Sequence, residues 1–231
     1  LGGEEAVAKQ KEAGKFNVRE RIERLVDAGS FHEIGALSGN VVYDESFELE
    51  KITPANCVIG HAEMETRPVS ISGDDWTIRG GSSEAAIAEK WIFAERYAEE
   101  MQIPLIRLIE SAGGSVKLLN KNAATKLPAY PSWNMARMMG VIPVVGVALG
   151  ACAGLGAMRA ATAHYSVMVK GSSQIFAGGP PVVERAIGVK LDKEDLGGAH
   201  IHTRESGMIG NAAQSEDEAF EMVKQRSKTR H

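Results

Sequence analysis

The stretch "MMGVIPVVGVALGACAGLGAM", Met138–Met158, holds no charged side chain and lies between Arg137 and Arg159. Its length is about that of a bilayer span, and Gly146, Gly150 and Gly154 recur at the four-residue spacing that lets membrane helices pack closely. Its composition argues for a different structure. Five glycines and Pro143 interrupt it, and Ile142, Val144, Val145 and Val147 are β-branched residues that favour strands. The stretch therefore reads as a buried strand from Pro143 to Leu149, a glycine turn and a small-residue helix, within a sequence of soluble character.

That character is set by 231 residues, 44% hydrophobic and 24% charged, with a formal net charge of −4. The size suits one large domain or two small ones, and the mildly acidic balance gives no footprint for nucleic acid or an anionic membrane. Cys57 and Cys152 are the only cysteines, which excludes a disulfide framework and a multi-cysteine zinc site. Both read as small core residues in a reducing compartment. The opening "LGGEEAVAKQKEAGK" places charges where a signal peptide needs an apolar core. It lacks an initial Met, which leaves a removed targeting segment open.

Residues 1–16 are polar without apolar periodicity and read as an arm; residues 17–231 read as the folded domain. Asn17 and Glu20 form a capping box for a helix whose buried stripe is Ile22, Leu25 and Val26 and which Gly29 ends. Two strands follow, near 56–64 and 67–75. After "RGGS", Ile87, Trp91, Ala94, Ala98 and Met101 mark one face of a helix. Strand and helix then alternate: a strand at 104–110, the turn "ESAGGS", a lysine-containing loop with Pro128 and Pro131, a helix around Trp133–Met139, the opening stretch, and a strand at 164–169. Helices start at Pro180 (ending at Gly188), at Asp192 (ending at Gly197) and after Ser215, which pairs with Glu218 in a capping box. Strands joined through helices imply an α/β layout with a largely buried sheet.

Two buried strands run into glycine turns: "PLIRLIE" into Ser111, Ala112, Gly113 and Gly114, and "PVVGVAL" into "GACAGLG". Such turns let a ligand approach the main chain, and the first amides of a helix opening there lack helical partners and favour negative charge. Two converging turns would place one N–H each on a developing oxyanion; the competing reading is that the glycines only permit close packing. Arg79, Gly80, Gly81 and Ser82, following a strand and opening a helix, suit an anionic ligand on the same grounds or serve as a simple cap. "GLGAMR" is no dinucleotide fingerprint, because Arg159 stands where a small residue is required. His200 and His202 near Asp195 lack the spacing of a metalloenzyme and read as polar surface. Asp74, Asp75 and Arg79 around Trp76 read as a satisfied polar cluster.

The chain resembles the N-terminal half of the carboxyltransferase (beta) subunit of biotin-dependent acyl-CoA carboxylases, of the propionyl- and methylcrotonyl-CoA type, in the crotonase superfamily. The resemblance rests on "GKFNVRERIERLVDAGSFHEIG", "DDWTIRGGSSEAAIAEK", "PLIRLIESAGGS", "VIPVVGVALGACAGLGAM", "IFAGGPPVVERAIG" and "LGGAHIHTRESGMIGNAAQSEDEAF", in that order over nearly the whole chain. It implies an α/β fold of the crotonase (ClpP/crotonase-like) ββα spiral type. It also implies transfer of carboxylate from carboxybiotin to the α (or vinylogous) carbon of an acyl-CoA, with the enolate held by backbone donors at Gly113 or Gly114 and at Leu155 or Gly156. Coenzyme A would lie along Arg79, Gly80, Gly81, Ser82, Ala112 and Gly154, with no metal. Biotin would arrive on a separate domain or subunit. The partners implied are a biotin carrier, a biotin carboxylase and a carboxyltransferase C-terminal half, in a homo- or hetero-oligomer. The location implied is the cytoplasm, or the mitochondrial matrix in a eukaryote.

The sequence departs from that family at Leu155, where relatives carry glycine, so an isobutyl group is expected beside the acyl pocket. After Gly114 it continues "SVKLLNKNAATK" rather than with arginine and glutamine, which leaves the acyl chain open. The competing functions are another crotonase-type acyl-CoA enzyme (a hydratase, isomerase or decarboxylase) and a non-catalytic carboxylase subunit. Hydratases carry a glutamate where this chain has Met158; Leu155 is the feature that admits a non-catalytic role.

Overall fold

The computed structural model describes residues 1–82, 87–114 and 135–228. In chain order its elements begin with α1 (Glu4–Glu12), α2 (Val18–Leu25), β1 (His32–Ile34), β2 (Gly39–Tyr43), β3 (Leu49–Pro54), β4 (Cys57–Met64) and β5 (Arg67–Asp74). Next come α3 (Ala88–Met101), β6 (Leu105–Ser111), α4 (Met135–Met139), β7 (Val144–Ala153), α5 (Leu155–Ala161), β8 (Tyr165–Val169) and β9 (Gln174–Phe176). The last are α6 (Pro180–Ile187), α7 (Lys193–Gly197), β10 (Asn211–Ala213) and α8 (Glu216–Lys228).

The main sheet runs β1-β4-β5-β6-β7-β8-β10. Its first three strands are antiparallel, and from β5 onward the pairing is parallel. β7 pairs with β8 through Val145–Ala148 and then with β9 through Ala151–Ala153, so one long strand serves two neighbours in succession. Every residue of β6 is buried, as expected for a parallel strand covered on both faces. Its side chains alternate between layers. Ile106 and Leu108 join Val147, Leu149, Phe220 and Val223 beneath α2 and α8. Leu105 faces Ala98 and Met138, and Ile109 faces Ala148 and Ala160.

The opening stretch is a strand, a glycine turn and a helix, as its composition predicts, and no helix among the described residues is long and apolar enough to cross a membrane. The strand nevertheless continues four residues past Leu149 to Ala153, through Gly150. A side chain on Gly150 would stand 2.1 Å from Glu110 Oε1; this glycine makes room for a carboxylate rather than a turn.

The Asn17–Glu20 capping box is present, but α2 stops at Leu25, and Arg21 shares its buried stripe. In α3, Trp91, Ala94 and Ala98 are buried, whereas Met101 is 56% exposed and Ile87 precedes the helix as its cap. The sequence reading lacked β1 and the β2–β3 hairpin. The polar segment 1–16 contains α1, and it is held by polar contacts rather than an apolar stripe. Gln10 Nε2 and Lys15 Nζ donate to the Glu110 carboxylate at 3.2 and 2.8 Å. Trp133 and the loop before it lie outside the described residues.

Glu110 also receives Arg21 Nη1 at 2.6 Å, and Arg21 in turn holds Glu216 at 2.7 Å, with both members of the Arg21–Glu110 pair 1% exposed. Removing one partner of a buried ion pair leaves an uncompensated charge. Glu110→Ala is therefore expected to destabilise the domain by about 3–5 kcal/mol, read from the urea denaturation midpoint. A loss below about 1 kcal/mol, the value of an exposed pair, would contradict this account.

Candidate active site

The ends of β6 and β7 carry the two glycine turns, and sheet register brings them side by side, with Ser111 opposite Cys152. In the first turn, Ser111 Oγ donates to Gly81 O at 2.9 Å and accepts from Gly113 N at 3.3 Å. Gly113 has φ 80°, a left-handed conformation that favours glycine, and a side chain there would lie 3.0 Å from Ala153 O. Ala112 and Gly114 are exposed, and a side chain on Gly114 would meet nothing within 4 Å. The residues after Gly114 lie outside the described residues, and with them the expectation that this turn opens a helix.

In the second turn the chain reverses at Gly154 (φ 56°, ψ −114°), whose amide donates to Phe176 O at 3.1 Å. The first helical closure in α5 is Met158 N to Gly154 O. The amides of Leu155, Gly156 and Ala157 thus precede any partner inside the helix. α5 has seven residues, so individual N–H groups matter there more than a macrodipole. Gly156 is buried, and a side chain on it would stand 3.2 Å from Ser111 Cβ. Each turn's glycine therefore packs on the other turn's strand.

The Leu155 side chain packs against Cys57, Ile59, Trp91 and Ala94, the layer between the sheet and α3. Its direction follows from the helix, since Leu155 and Arg159 share a face and the Arg159 guanidinium lies 5.4 Å from the Trp91 ring centre.

Arg79–Gly81 form a single 3-10 turn with Arg79, Gly80 and Gly81 all at positive φ. The amides of Gly81 and Ser82 donate within the turn, to Ile78 O and Arg79 O. α3 starts only at Ala88, so these residues do not open it. Gly81 is explained by packing, because a side chain there would meet Glu110 O at 2.5 Å. Ala112 N donates to Gly80 O at 2.9 Å, which stitches this turn to the first glycine turn. Arg79 lines an adjoining cleft of about 430 Å3 with Lys51 and Thr77. A second cleft, of about 220 Å3, lies between α1 and the sheet, with Lys9, Lys15, Lys193 and Trp76 on its walls.

Behind the turns lies a buried charge network. Arg159 Nη1 donates to Asp74 Oδ1 at 2.8 Å and Nη2 to Ser72 Oγ at 3.2 Å, while Glu110 N donates to Asp74 Oδ2 at 3.3 Å. Arg107 Nη1 donates to the carbonyls of Arg159 and Thr162, and Nη2 to Glu95 at 2.6 Å. Burial pushes the Asp74 carboxyl above its usual range against the pull of Arg159. Burial likewise lowers the Arg107 guanidinium despite Glu95. For Arg21, burial is outweighed by Glu110 and Glu216, and the guanidinium is held above its ordinary value. The sequence reading found neither Arg21 nor Arg107 nor Glu110; the available signal was a charge inside an apolar strand, "LIRLIE".

Of the predicted polar cluster, both acids are partnered: Asp75 accepts from Thr77 N and Oγ1, at 3.0 and 2.5 Å, and Asp74 from Arg159. His202 lies 2.7 Å from Ile175 O and 3.1 Å from Ser206 Oγ. Among the described residues no group of His, Cys, Asp and Glu is arranged to hold a metal ion.

A family model described as a carboxyl transferase domain matches residues 9–229. The chain is 33% identical over 233 residues to a mitochondrial methylcrotonoyl-CoA carboxylase beta chain of Dictyostelium discoideum, covering 96% of this chain and 38% of that protein. It is 31% identical over 225 residues to methylmalonyl-CoA decarboxylase subunit alpha of Veillonella parvula, covering 96% and 43%. A solved transcarboxylase 12S structure with hydrolysed methylmalonyl-coenzyme A bound aligns at TM-score 0.81 and 27% identity, over 97% of this chain and 44% of the other. The fold is the crotonase-like ββα spiral of the carboxyltransferases. The chain spans well under half the length of these relatives.

The two thiols beside this network are not nucleophiles. Burial, seconded by the Asp74 charge, pushes Cys57 up to about 12, and burial raises Cys152 in the same way. Since the thiolate is the reactive form, iodoacetamide at pH 8 is expected to alkylate both at least about a hundredfold more slowly in the native protein than in urea. Mass spectrometry of the alkylated chain reads this directly, and equal rates in the two states would refute it.

Proposed function

The chain belongs to the carboxyl transferase domain family, and on that basis we propose that it forms the acyl-CoA half of a biotin-dependent carboxyltransferase. The observation that carries the reading is the meeting of the two glycine turns at the ends of neighbouring parallel strands. The thioester carbonyl lies between them, with Gly113 or Gly114 donating from one side and Leu155 or Gly156 from the other. Proton loss at the α (or vinylogous) carbon moves an electron pair onto the thioester oxygen, and preorganised N–H groups stabilise that oxyanion. The enolate carbon then forms the new bond to carbon dioxide. Carboxylase and decarboxylase relatives fit one site on these grounds, since both directions share an enolate.

Carboxybiotin, brought by another domain or subunit, supplies the carboxylate and the basic nitrogen that receives the proton. The donor set suits this: among the described residues, Asp74 and Glu110 at the ends of β5 and β6 are bound to Arg159 and to Arg21 and Lys15. The same point weighs against a hydratase, which needs a free carboxylate; Met158 is exposed at that position. Coenzyme A runs past Arg79, Gly80, Gly81, Ser82, Ala112 and Gly154, with the Arg79 side chain rather than the Gly81 and Ser82 amides meeting its phosphates. A carboxyltransferase C-terminal half completes the site, and a biotin carrier and biotin carboxylase complete the cycle. Support for a covering partner comes from α6, which has no buried residue while Val182 and Ile187 are 59% and 67% exposed. The enzyme so assembled acts in the cytoplasm, or in the mitochondrial matrix of a eukaryote.

Two experiments test this. Gly156→Pro deletes one N–H at a position where the first helical turn tolerates proline. It is expected to cut carboxyl transfer to propionyl-CoA at least about tenfold with the fold retained by circular dichroism. A folded variant with normal transfer would sink the oxyanion assignment. In the second, this chain alone is supplied with carboxybiotin and propionyl-CoA. No turnover is expected until the C-terminal half is added, whereas full turnover by the isolated monomer would refute the shared site.

A further inference from the structure

Asp74 gives one carboxylate oxygen to each of the elements that carry the glycine turns. Its Oδ2 accepts from the amide of Glu110, three residues before Gly113; its Oδ1 accepts from Arg159, three residues after Gly156. Asp74 stands at the end of β5, so a single side chain on a third element spans both turns at equal sequence distance.

The far side of α5 is held as firmly. Arg159 Nη2 reaches Ser72 Oγ, its guanidinium lies over Trp91, and Arg107 grips the carbonyls of Arg159 and Thr162 while bound to Glu95. Asp74, Arg159, Arg107 and Glu95 are 1%, 2%, 0% and 4% exposed, so water cannot take over any of these contacts. As a source of stability the arrangement is poor, because a buried ion pair is often matched or bettered by apolar residues of similar volume. What an ion pair does, and an apolar contact does not, is fix direction: charged hydrogen bonds are short and angular.

We propose that Asp74 and Arg159 are positioning residues that set the distance and orientation between the two groups of oxyanion donors. This rests on the oxyanion reading above and deepens it. Neither side chain touches substrate; both act through the backbone of Glu110–Gly113 and of Gly156–Arg159. A misplacement of about 1 Å in such a site can cost roughly a hundredfold in rate. The loss should fall on kcat, since the donors are needed for the enolate more than for the bound thioester.

The test uses the assembled enzyme with both halves and its biotin carrier, assayed for carboxyl transfer to propionyl-CoA. Asp74→Asn must lose one of its two acceptor contacts and leaves Arg159 buried without a counter-charge. The double variant Asp74→Asn/Arg159→Gln removes both charges and with them the unpaired ion. For the double variant the expected result is a denaturation midpoint nearer the wild type than that of Asp74→Asn, with kcat still at least about tenfold down and KM for propionyl-CoA within about twofold. Arg159→Lys, which keeps the charge but cannot span Asp74 and Ser72 together, is expected to show the same split and serves if the other variants fail to fold.

Recovery of kcat together with the midpoint in the double variant would overturn the proposal, as would a normal kcat in Arg159→Lys or a rise in KM alone. Gly156→Pro, assayed in parallel, separates the two levels. If that variant is inactive while the Asp74 and Arg159 variants turn over normally, only the positioning role falls. If that variant is active, the oxyanion reading itself falls.

Discussion

A carboxylate removed from water keeps its charge only if cations and hydrogen-bond donors take the place of the solvent. Two such groups, Asp74 and Glu110, stand at the ends of neighbouring strands β5 and β6, each 1% exposed. They serve opposite layers. Glu110 draws in Lys15 and Gln10 from the N-terminal segment and Arg21 from α2, and Arg21 continues to Glu216 at the start of α8. Asp74 draws in Arg159 from α5, whose carbonyl is held by Arg107 of β6. Both layers are thereby tied at one end of the sheet, the end from which the two glycine turns leave.

The same demand explains why so many glycines cluster there without sharing one role. Gly150 is small because the Glu110 carboxylate occupies the space of its side chain, and Gly81 because the backbone of Glu110 does. Gly113 and Gly154 instead hold left-handed conformations that end the two strands. Under the proposed function, packing and oxyanion binding, posed by the sequence as alternatives, are divided among neighbours. Close approach of the strands makes the turns converge.

The sequence revealed the strand–turn–helix order, the Asn17 cap and the pairing of two glycine turns because these depend on local pattern: apolar runs, capping residues, breakers. It was silent where structure depends on distant partners. Segment 1–16 has no apolar stripe, and its order comes from Glu110, about a hundred residues away. The β2–β3 hairpin leaves Val41, Val42, Tyr43 and Leu49 between 46% and 59% exposed, so no buried alternation announces it. Gly150 read as turn and proved to be strand, since only the Glu110 side chain distinguishes the two. The direction of Leu155 was equally hidden: helical spacing pairs it with Arg159, but that Arg159 faces Trp91 is a tertiary fact.

The direction of Leu155 bears on how selectivity and catalysis are divided in the proposed site. Its isobutyl group packs toward α3, and the departure from glycine at this position leaves the amide in place. A β-carbon on Gly156 would press on Ser111 Cβ at 3.2 Å, so bulky side chains that could shape the second turn to different acyl chains are disfavoured there. A site of backbone donors is indifferent to the acyl group, because every thioester presents the same oxygen. Under the oxyanion reading, selection among acyl-CoA substrates therefore falls to residues other than these backbone donors. What the structure supplies toward that site is its frame: two turns at the ends of neighbouring strands, backed by buried ion pairs on either face of the sheet.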